Sequence, residues 1–133
     1  MRASILLIED NRFDAKVFQF AVRDAGVEAN VTVARDGVEA MAKLEDPSIE
    51  QDVIVVTDLN MPRMGGIELL RRIRRTAELA HLPVFVMTTS DLASDHDEAA
   101  ALGVEGFIQK TGDEQGMIDP ILAFLAKRGE QPI

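Results

Sequence analysis

The stretch Val53-Ile-Val-Val-Thr-Asp-Leu-Asn-Met-Pro-Arg-Met-Gly-Gly66 contains a run of aliphatic residues that ends abruptly in an acid. The run from Val53 to Val56 is continuous rather than alternating, which is typical of a strand covered on both faces in a parallel sheet. Asp58 follows this run, and a proline and two glycines come after it. An aspartate in this position either caps the next segment or takes part in a chemical reaction. The residues elsewhere in the chain distinguish these two roles.

Other parts of the chain repeat this pattern of a short apolar run followed by a segment with helical spacing. The further runs are Ile5–Ile8, Val31–Val33, Val84–Met87 and Gly106–Ile108. Apolar residues at helical spacing lie between and after them: Phe13, Val17, Phe20 and Ala21; Val38, Met41 and Ala42; Ile67, Leu70 and Ile73; Met117, Ile118, Ile121, Leu122 and Leu125. Gly26 and Gly103 stand where helix C-caps belong, and Pro83 precedes a strand. The alternation predicts an α/β fold with a doubly wound parallel sheet.

Composition limits the classes of function. The chain has 133 residues, the length of one ordinary domain. No apolar run approaches the roughly 18 residues that a membrane span needs, and the N-terminus lacks the apolar core of a signal peptide, so a cytoplasmic protein is expected. The lack of cysteine excludes thiolate chemistry, and the net charge of −9 argues against nucleic acid as a partner. The expected partner is a protein or a cation.

Polar residues follow the apolar runs at the edge where a doubly wound sheet places its ligand crevice. They are Glu9, Asp10 and Asn11 after the first run, Asp58 and Asn60 after the third, Thr88 and Ser90 after the fourth, and Lys110 after the fifth. Three clustered carboxylates repel one another, and a divalent cation relieves that repulsion. Oxygen ligands without His or Cys favour a hard ion, which predicts Mg²⁺ (or Mn²⁺). A hydroxyl and an ammonium opposite these acids suit a phosphoryl group that arrives at a carboxylate nucleophile.

Four motifs lie in order along the chain: Ile8-Glu9-Asp10-Asn11, Asp58-Leu-Asn-Met-Pro-Arg-Met-Gly-Gly66, Met87-Thr-Thr-Ser90 and Phe107-Ile-Gln-Lys110. Together they resemble the response regulator receiver domains of two-component signalling. The resemblance runs from Ile5 to about Lys127, and it implies a flavodoxin-like (βα)5 fold with five parallel strands in the order 2-1-3-4-5. It also implies a single receiver domain over residues 1–133, ordered from about 4 to 128, with no output domain.

The resemblance implies that Asp58 is the phosphoacceptor, which receives a phosphoryl group from a phosphohistidine of a sensor histidine kinase or a phosphotransfer protein. Mg²⁺ would be held by Asp10, Asp58 and the backbone carbonyl of Asn60, with Glu9 acting through a metal-bound water. Lys110 and Thr88 would bind the phosphoryl oxygens. The chain would then assist its own phosphotransfer and autodephosphorylation without being an enzyme in the ordinary sense.

The family likeness also implies how phosphorylation is read. Thr88 and Phe107 would form a switch that changes a protein-interaction face, while Asn60 and Ser90 would tune hydrolysis. The partner that recognises the phosphorylated form would be a downstream protein target or a second copy in a homodimer. Neither nucleic acid nor a membrane would be involved. The stretch Met87–Asp91 is similar to that of single-domain regulators paired with photoreceptor-type kinases.

Three features of the sequence depart from the family pattern. Lys110 is followed by Thr111 where the family usually has a proline, so a trans peptide bond and a reshaped loop are expected. Phe107 stands where Tyr is more frequent, so a switch there would work through packing. Gly116 and Pro120 disturb the last helix, which is expected either to begin near Met117 to Asp119 or to kink.

Other functions fit the same topology less well. A flavodoxin-like cofactor carrier needs a phosphate-cradling loop after the first strand, but Glu9 and Asp10 there would repel phosphate. An aspartate-nucleophile phosphohydrolase needs a second acid two residues after the first, and Asn60 occupies that position. A receiver that docks without phosphate is the nearest alternative. The presence of all five pocket residues argues against it: Glu9, Asp10, Asp58, Thr88 and Lys110.

Overall fold

A computed structural model describes residues 3–49, 52–59, 63–88, 93–110 and 114–128 of the chain. Among these residues, five strands alternate with five helices, in the order that the family resemblance implies. The elements are β1 (Ala3–Ile8), α1 (Arg12–Asp24), β2 (Ala29–Ala34), α2 (Gly37–Leu44), β3 (Ile54–Asp58), α3 (Gly66–Arg75), β4 (Val84–Thr88), α4 (Ala93–Ala101), β5 (Gly106–Gln109) and α5 (Glu114–Lys127).

The strands form one parallel sheet in the order β2-β1-β3-β4-β5. This order confirms the predicted flavodoxin-like fold. The middle strand, β3, is buried at all five positions because helices cover both faces of the sheet. Its last residue, Asp58, pairs in register with Met87 of β4, so it lies at the carboxyl edge of the sheet.

Two apolar layers pack on the two faces of the sheet. On one face, Leu6, Val55 and Val86 lie in a buried cluster with residues of α2, α3 and α4. On the other face, Leu7, Val56 and other inward residues cluster with α1 and α5. Successive strand residues point to opposite faces of the sheet. A strand in the middle of the sheet therefore needs apolar residues at odd and even positions alike. That requirement explains the unbroken aliphatic runs in the sequence.

The predicted buried stripe of α1 was partly wrong. Phe13 and Phe20 are 73% and 52% exposed, respectively. The buried residues of α1 are Ala15, Phe18, Ala21 and Val22. Apolar residues occupy two faces of this helix, and the face with small alanines beside Phe18 is the one that packs against the sheet. Val38 and Ala42 of α2 are likewise exposed, and Ala40, Met41 and Leu44 are buried instead.

The last helix begins at Glu114, so the predicted start near Met117 to Asp119 was wrong. Pro120 lies inside the helix and leaves one backbone carbonyl without its helical donor. Buried residues on both sides of Pro120 compensate: Met117, Ile118, Ile121 and Leu125 all contribute to one core layer. Helices in proteins are held mainly by such packing rather than by propensity. The alternative of a kink at Pro120 stays a prediction.

Two predicted C-caps are confirmed. Gly26 and Gly103 have φ angles of 77° and 76°, a region that favours glycine. Among the described residues, no helix combines the length and apolar character that crossing a bilayer requires.

Candidate functional site

The polar residues that follow β1, β3 and β5 meet at the carboxyl edge of the sheet. Glu9 comes directly after β1, Asp58 ends β3, and Lys110 comes directly after β5. The Glu9 amide extends the parallel ladder by donating to Ala34 O at 2.9 Å. Because these residues stand at strand ends, the sheet itself sets where their side chains begin.

Lys110 joins the two buried acids of this site. Its Nζ donates to Asp58 Oδ2 at 2.6 Å and lies 2.5 Å from Glu9 Oε1. The side chains of Glu9 and Lys110 are 1% and 13% exposed, so the ion pair is largely removed from water. The sequence prediction that Glu9, Asp58 and Lys110 come together is thus met in the geometry.

Asp10 adds a third carboxylate at the mouth of the site. One oxygen from each of Glu9, Asp10 and Asp58 lies within 4.8 Å of the others. Asp10 is exposed, whereas Glu9 and Asp58 are buried. Three carboxylate oxygens at this separation, without His or Cys, form a donor set that fits a hard divalent cation.

The electrostatics of the pocket favour a positive partner. The pKa of Glu9 is raised to about 7, mainly because the carboxyl is buried; Lys110 and the Asn11 amide oppose this shift, and the Asp58 charge adds to it. Burial lowers the pKa of Lys110, but its hydrogen bonds to Asp58 and Glu9 outweigh burial and raise that pKa above its ordinary value. Lys110 is therefore fully charged at neutral pH and neutralises part of the acid cluster.

Asn11 orders the loop between β1 and α1. Its side-chain oxygen accepts from the Asp14 amide at 3.0 Å and so caps α1. The backbone N–H of Asn11 donates to Glu9 Oε2 at 3.2 Å. The same residue thus starts the helix and holds one oxygen of the buried acid.

Two features of the site were missed in the sequence. Asp14 Oδ2 lies 3.2 Å from Lys110 Nζ, which gives the ammonium a third acidic partner. Arg63 Nε donates to Asp36 Oδ2 at 2.7 Å and ties the segment after β3 to the start of α2. Asp14 belongs to no motif, whereas Asp36 stands directly before Gly37 at a helix start, which is a capping signal.

Some predicted residues fall partly or wholly outside the description. Asn60, Ser90 and Thr111 lie outside the described residues, and so does the side chain of Thr88. The backbone of Thr88 ends β4 in register with Gln109. The peptide bond between Lys110 and Thr111 therefore stays a prediction.

Phe107 lies on β5, three residues before Lys110 in the sequence, and is half-buried. Its ring stacks on His96 of α4, with centroids 4.4 Å apart and planes 17° from parallel. No role was assigned to His96 from the sequence, because a lone histidine has no motif around it. The stacking links the predicted switch position to α4.

Comparison with known proteins decides the family. The family model described as response regulator receiver domain matches residues 5–122. The chain belongs to this family. This receiver domain is 39% identical over 106 residues to the chemotaxis protein CheY-3 of Vibrio cholerae, across 80% of this chain and 78% of CheY-3.

Solved structures of similar regulators share the fold. The phosphorylated cyanobacterial phytochrome response regulator RcpA is 29% identical, with a TM-score of 0.79 over 94% of this receiver domain and 92% of RcpA. The Mn²⁺-bound form of response regulator Rcp1 is 28% identical, with a TM-score of 0.76 over 87% of this chain and 91% of that one. Rcp1 of Synechocystis sp. is 30% identical over 111 residues, which span 80% of this chain and 76% of Rcp1.

Proposed function

We propose that Asp58 is the phosphoacceptor of this receiver domain and that it takes a phosphoryl group from a phosphohistidine of a sensor histidine kinase or phosphotransfer protein. The observation that carries the proposal is the placement of Asp58: it ends the central strand, touches Lys110 at 2.6 Å and shares a cluster with Glu9 and Asp10. A capping role does not explain this cluster, since helix α3 starts at Gly66 and has no side-chain cap.

Mg²⁺ is the proposed cofactor, with Mn²⁺ as a substitute. Glu9, Asp10 and Asp58 would hold it, together with the backbone carbonyl of Asn60, and the all-oxygen donor set supports a hard ion. A similar regulator, Rcp1, is known in a Mn²⁺-bound form. When bound, the cation neutralises negative charge on the transferring phosphoryl group.

Side chains of this protein supply the nucleophile, a positive charge and a hydroxyl ligand in the proposed phosphoryl transfer. A carboxylate oxygen of Asp58 attacks phosphorus, the bond from phosphorus to the histidine nitrogen breaks, and its electron pair returns to the imidazole. Lys110, already 2.6 Å from Asp58 Oδ2, places its positive charge where the phosphoryl oxygens arrive. Thr88 is proposed as a further ligand of those oxygens. Asn60 and Ser90 are proposed to tune the later hydrolysis of the acyl phosphate.

The proposed readout uses the face built by α4, β5 and α5. Phosphorylation would draw Thr88 inward and let the Phe107 ring move, which alters the surface seen by a downstream protein or a second copy. The stacking of Phe107 on His96 supports this route, because a movement of the ring changes its contact with α4 directly. Since Phe107 has no hydroxyl, the proposed switch depends on packing alone.

Phosphorylation by a small donor tests the proposal. Incubation with Mg²⁺ and acetyl phosphate is expected to add one phosphoryl group per chain, as measured by intact mass. Asp58→Asn keeps the volume of the side chain but removes the nucleophilic carboxylate, so it should gain no phosphoryl group. Replacing Mg²⁺ with a chelator should have the same effect on the native protein.

Asp24→Asn is a matched control, since Asp24 is exposed at the end of α1 and far along the helix from the site. This variant should be phosphorylated like the native protein. A folded native protein that gains no phosphoryl group would contradict the proposal and would favour a receiver that docks without phosphate. An adduct that persists in Asp58→Asn would also contradict it.

A further inference from the structure

We propose that Asp14 is a positioning residue that keeps Lys110 beside the pocket when Glu9 and Asp58 are engaged by a cation. The inference rests on the proposed function, because it concerns how that site holds its lysine. Asp14 belongs to none of the four motifs in the sequence, and it acts through Lys110 rather than on the phosphoryl group itself.

The geometry gives Lys110 three acidic partners. Nζ lies 2.5 Å from Glu9 Oε1, 2.6 Å from Asp58 Oδ2 and 3.2 Å from Asp14 Oδ2. An ammonium group has three N–H donors. Nζ donates hydrogen bonds to Asp58 and Asp14, and its contact with Glu9 is an ion pair. The shorter contacts go to the two buried acids, and the longest goes to Asp14, whose side chain is 37% exposed.

Two of the three acidic partners belong to the proposed cation site, and the third does not. Glu9 and Asp58 belong to the cluster of oxygens that converge within 4.8 Å, and Asp14 is not part of it. A divalent cation on Glu9 and Asp58 would bring a second positive charge against the oxygens that Lys110 now contacts, and like charges repel. Asp14 is then the acid that still attracts the ammonium without sharing it with the cation.

The position of Asp14 is fixed by local structure. It lies in the first turn of α1, and its amide donates to the capping oxygen of Asn11 at 3.0 Å. Its carboxylate thus reaches Lys110 from a helix that packs on the same face of the sheet as α5. With one donor of Lys110 on Asp14, the other two are free to turn toward phosphoryl oxygens.

The rate of phosphorylation by acetyl phosphate at saturating Mg²⁺ tests this role. Asp14→Asn is expected to slow it about three- to tenfold, the range of a coupling of roughly 1 kcal/mol between neighbouring groups. Asp14→Glu keeps the charge and should stay within about twofold of the native rate. Asp24→Asn makes the same charge change at the other end of α1 and should have no effect. A native rate in Asp14→Asn would overturn the inference.

Metal binding provides a readout that a purely structural role of Asp14 would not move. Mn²⁺ affinity is measured by electron paramagnetic resonance for Asp14→Asn, with Lys110 present and in a Lys110→Met background. Asp14→Asn should weaken Mn²⁺ binding at least about threefold more when Lys110 is present, because the lysine then competes for Glu9 and Asp58. An equal loss in both backgrounds would show that Asp14 acts only by its charge and would overturn the inference.

The two measurements separate this inference from the proposed function. If the native protein is not phosphorylated at all, the proposed function fails, whereas the Mn²⁺ comparison still decides whether Asp14 acts through Lys110. If the native protein is phosphorylated, a native rate in Asp14→Asn or an equal loss of Mn²⁺ affinity in both backgrounds means that only the inference fails. Circular dichroism of each variant shows that the fold is intact.

Discussion

Gly66 packs against the backbone of the proposed phosphoacceptor more closely than a side chain would allow. A β-carbon at this position would lie 2.3 Å from Asp58 O and 2.9 Å from Leu59 Cα. Both of these are backbone atoms, so neither can rotate out of the way. A β-carbon on Gly65 would meet only Leu59 O, at 3.4 Å. The second glycine of the pair therefore sets how tightly the chain turns out of β3.

Serine at each of the two glycines separates these roles. Gly66→Ser is expected to lower the free energy of unfolding by about 1–3 kcal/mol, since it forces the backbone behind Asp58 to move. Gly65→Ser places a capping hydroxyl at the start of α3 and should be neutral or slightly stabilising. Urea unfolding followed by circular dichroism measures both variants. Equal stability of the two variants would contradict the packing role of Gly66.

Single residues of the site were predictable where a strand delivers them. Glu9, Asp58 and Lys110 each stand at the end of an apolar run, and parallel strands bring such ends to one edge. Asp14 lies within a helix, so its direction depends on which face of α1 packs on the sheet, and the apolar pattern allowed two faces. Asp36 and Arg63 are 27 positions apart, and nothing in a single sequence indicates that they meet.

The segment after β3 is held on the start of α2 by several contacts. Arg63 bonds Asp36, and the Gly37 amide donates to Met64 O at 3.1 Å. Asp36 also caps α2 by accepting from the Glu39 amide at 2.9 Å. Arg63 has a φ of 65°, an uncommon conformation outside glycine that these contacts hold in place. The contacts of Arg63 with Asp36 and of Met64 with Gly37 therefore hold the end of the loop after β3 against α2.

The charge on Asp36 predicts how stability changes with pH. The Glu39 amide, followed by Arg63, lowers the pKa of Asp36 below its ordinary value despite the opposing effect of burial. A lowered pKa in the fold means that the carboxylate stabilises the protein above the ordinary aspartate pKa of about 3.9 and that this contribution is lost as pH falls below it. Asp36→Asn keeps the cap but loses the charge, so it should cost about 1 kcal/mol at pH 7.

Urea unfolding of the native protein and of Asp36→Asn from pH 8 to pH 3.5 measures this effect. The difference in the free energy of unfolding should stay constant from pH 8 to about pH 5 and shrink below about pH 4. The cost of Asp36→Asn should also be smaller in an Arg63→Gln background. A difference that grows as pH falls would contradict the ion pair.

Whole elements were predicted better than their faces and ends. Apolar runs marked all five strands, and apolar spacing marked four of the five helices. Helix α4 (Ala93–Ala101) has no such series, and it was expected from the alternation of strands and helices. The buried face of α1 was misassigned, since Phe13 and Phe20 are apolar yet exposed. The start of α5 was placed too late because Gly and Pro are poor helix residues, whereas the packing of Met117 and Ile118 overrides that local preference.

The doubly wound architecture followed from chain order and handedness, whereas the order of the strands was implied by the family resemblance. Right-handed crossovers between consecutive parallel strands leave few topologies, and the observed order β2-β1-β3-β4-β5 is one of the two common doubly wound orders. That order places β1 and β3 side by side at the centre, so the acids after them become neighbours. The proposed chemistry thus depends on the topology of the whole sheet, together with the side chains that each strand end supplies.

Chemical trapping of the phosphorylated residue tests the proposed role of Asp58 most directly. After phosphorylation with acetyl phosphate and Mg²⁺, reduction by borohydride converts a phosphorylated aspartate into homoserine, which peptide mass spectrometry locates in the sequence. Homoserine is expected at position 58 and at no other acidic residue, with none formed when a chelator replaces Mg²⁺. Homoserine at Asp10 or at another aspartate, or its formation independently of the cation, would contradict the assignment of Asp58 as the phosphoacceptor.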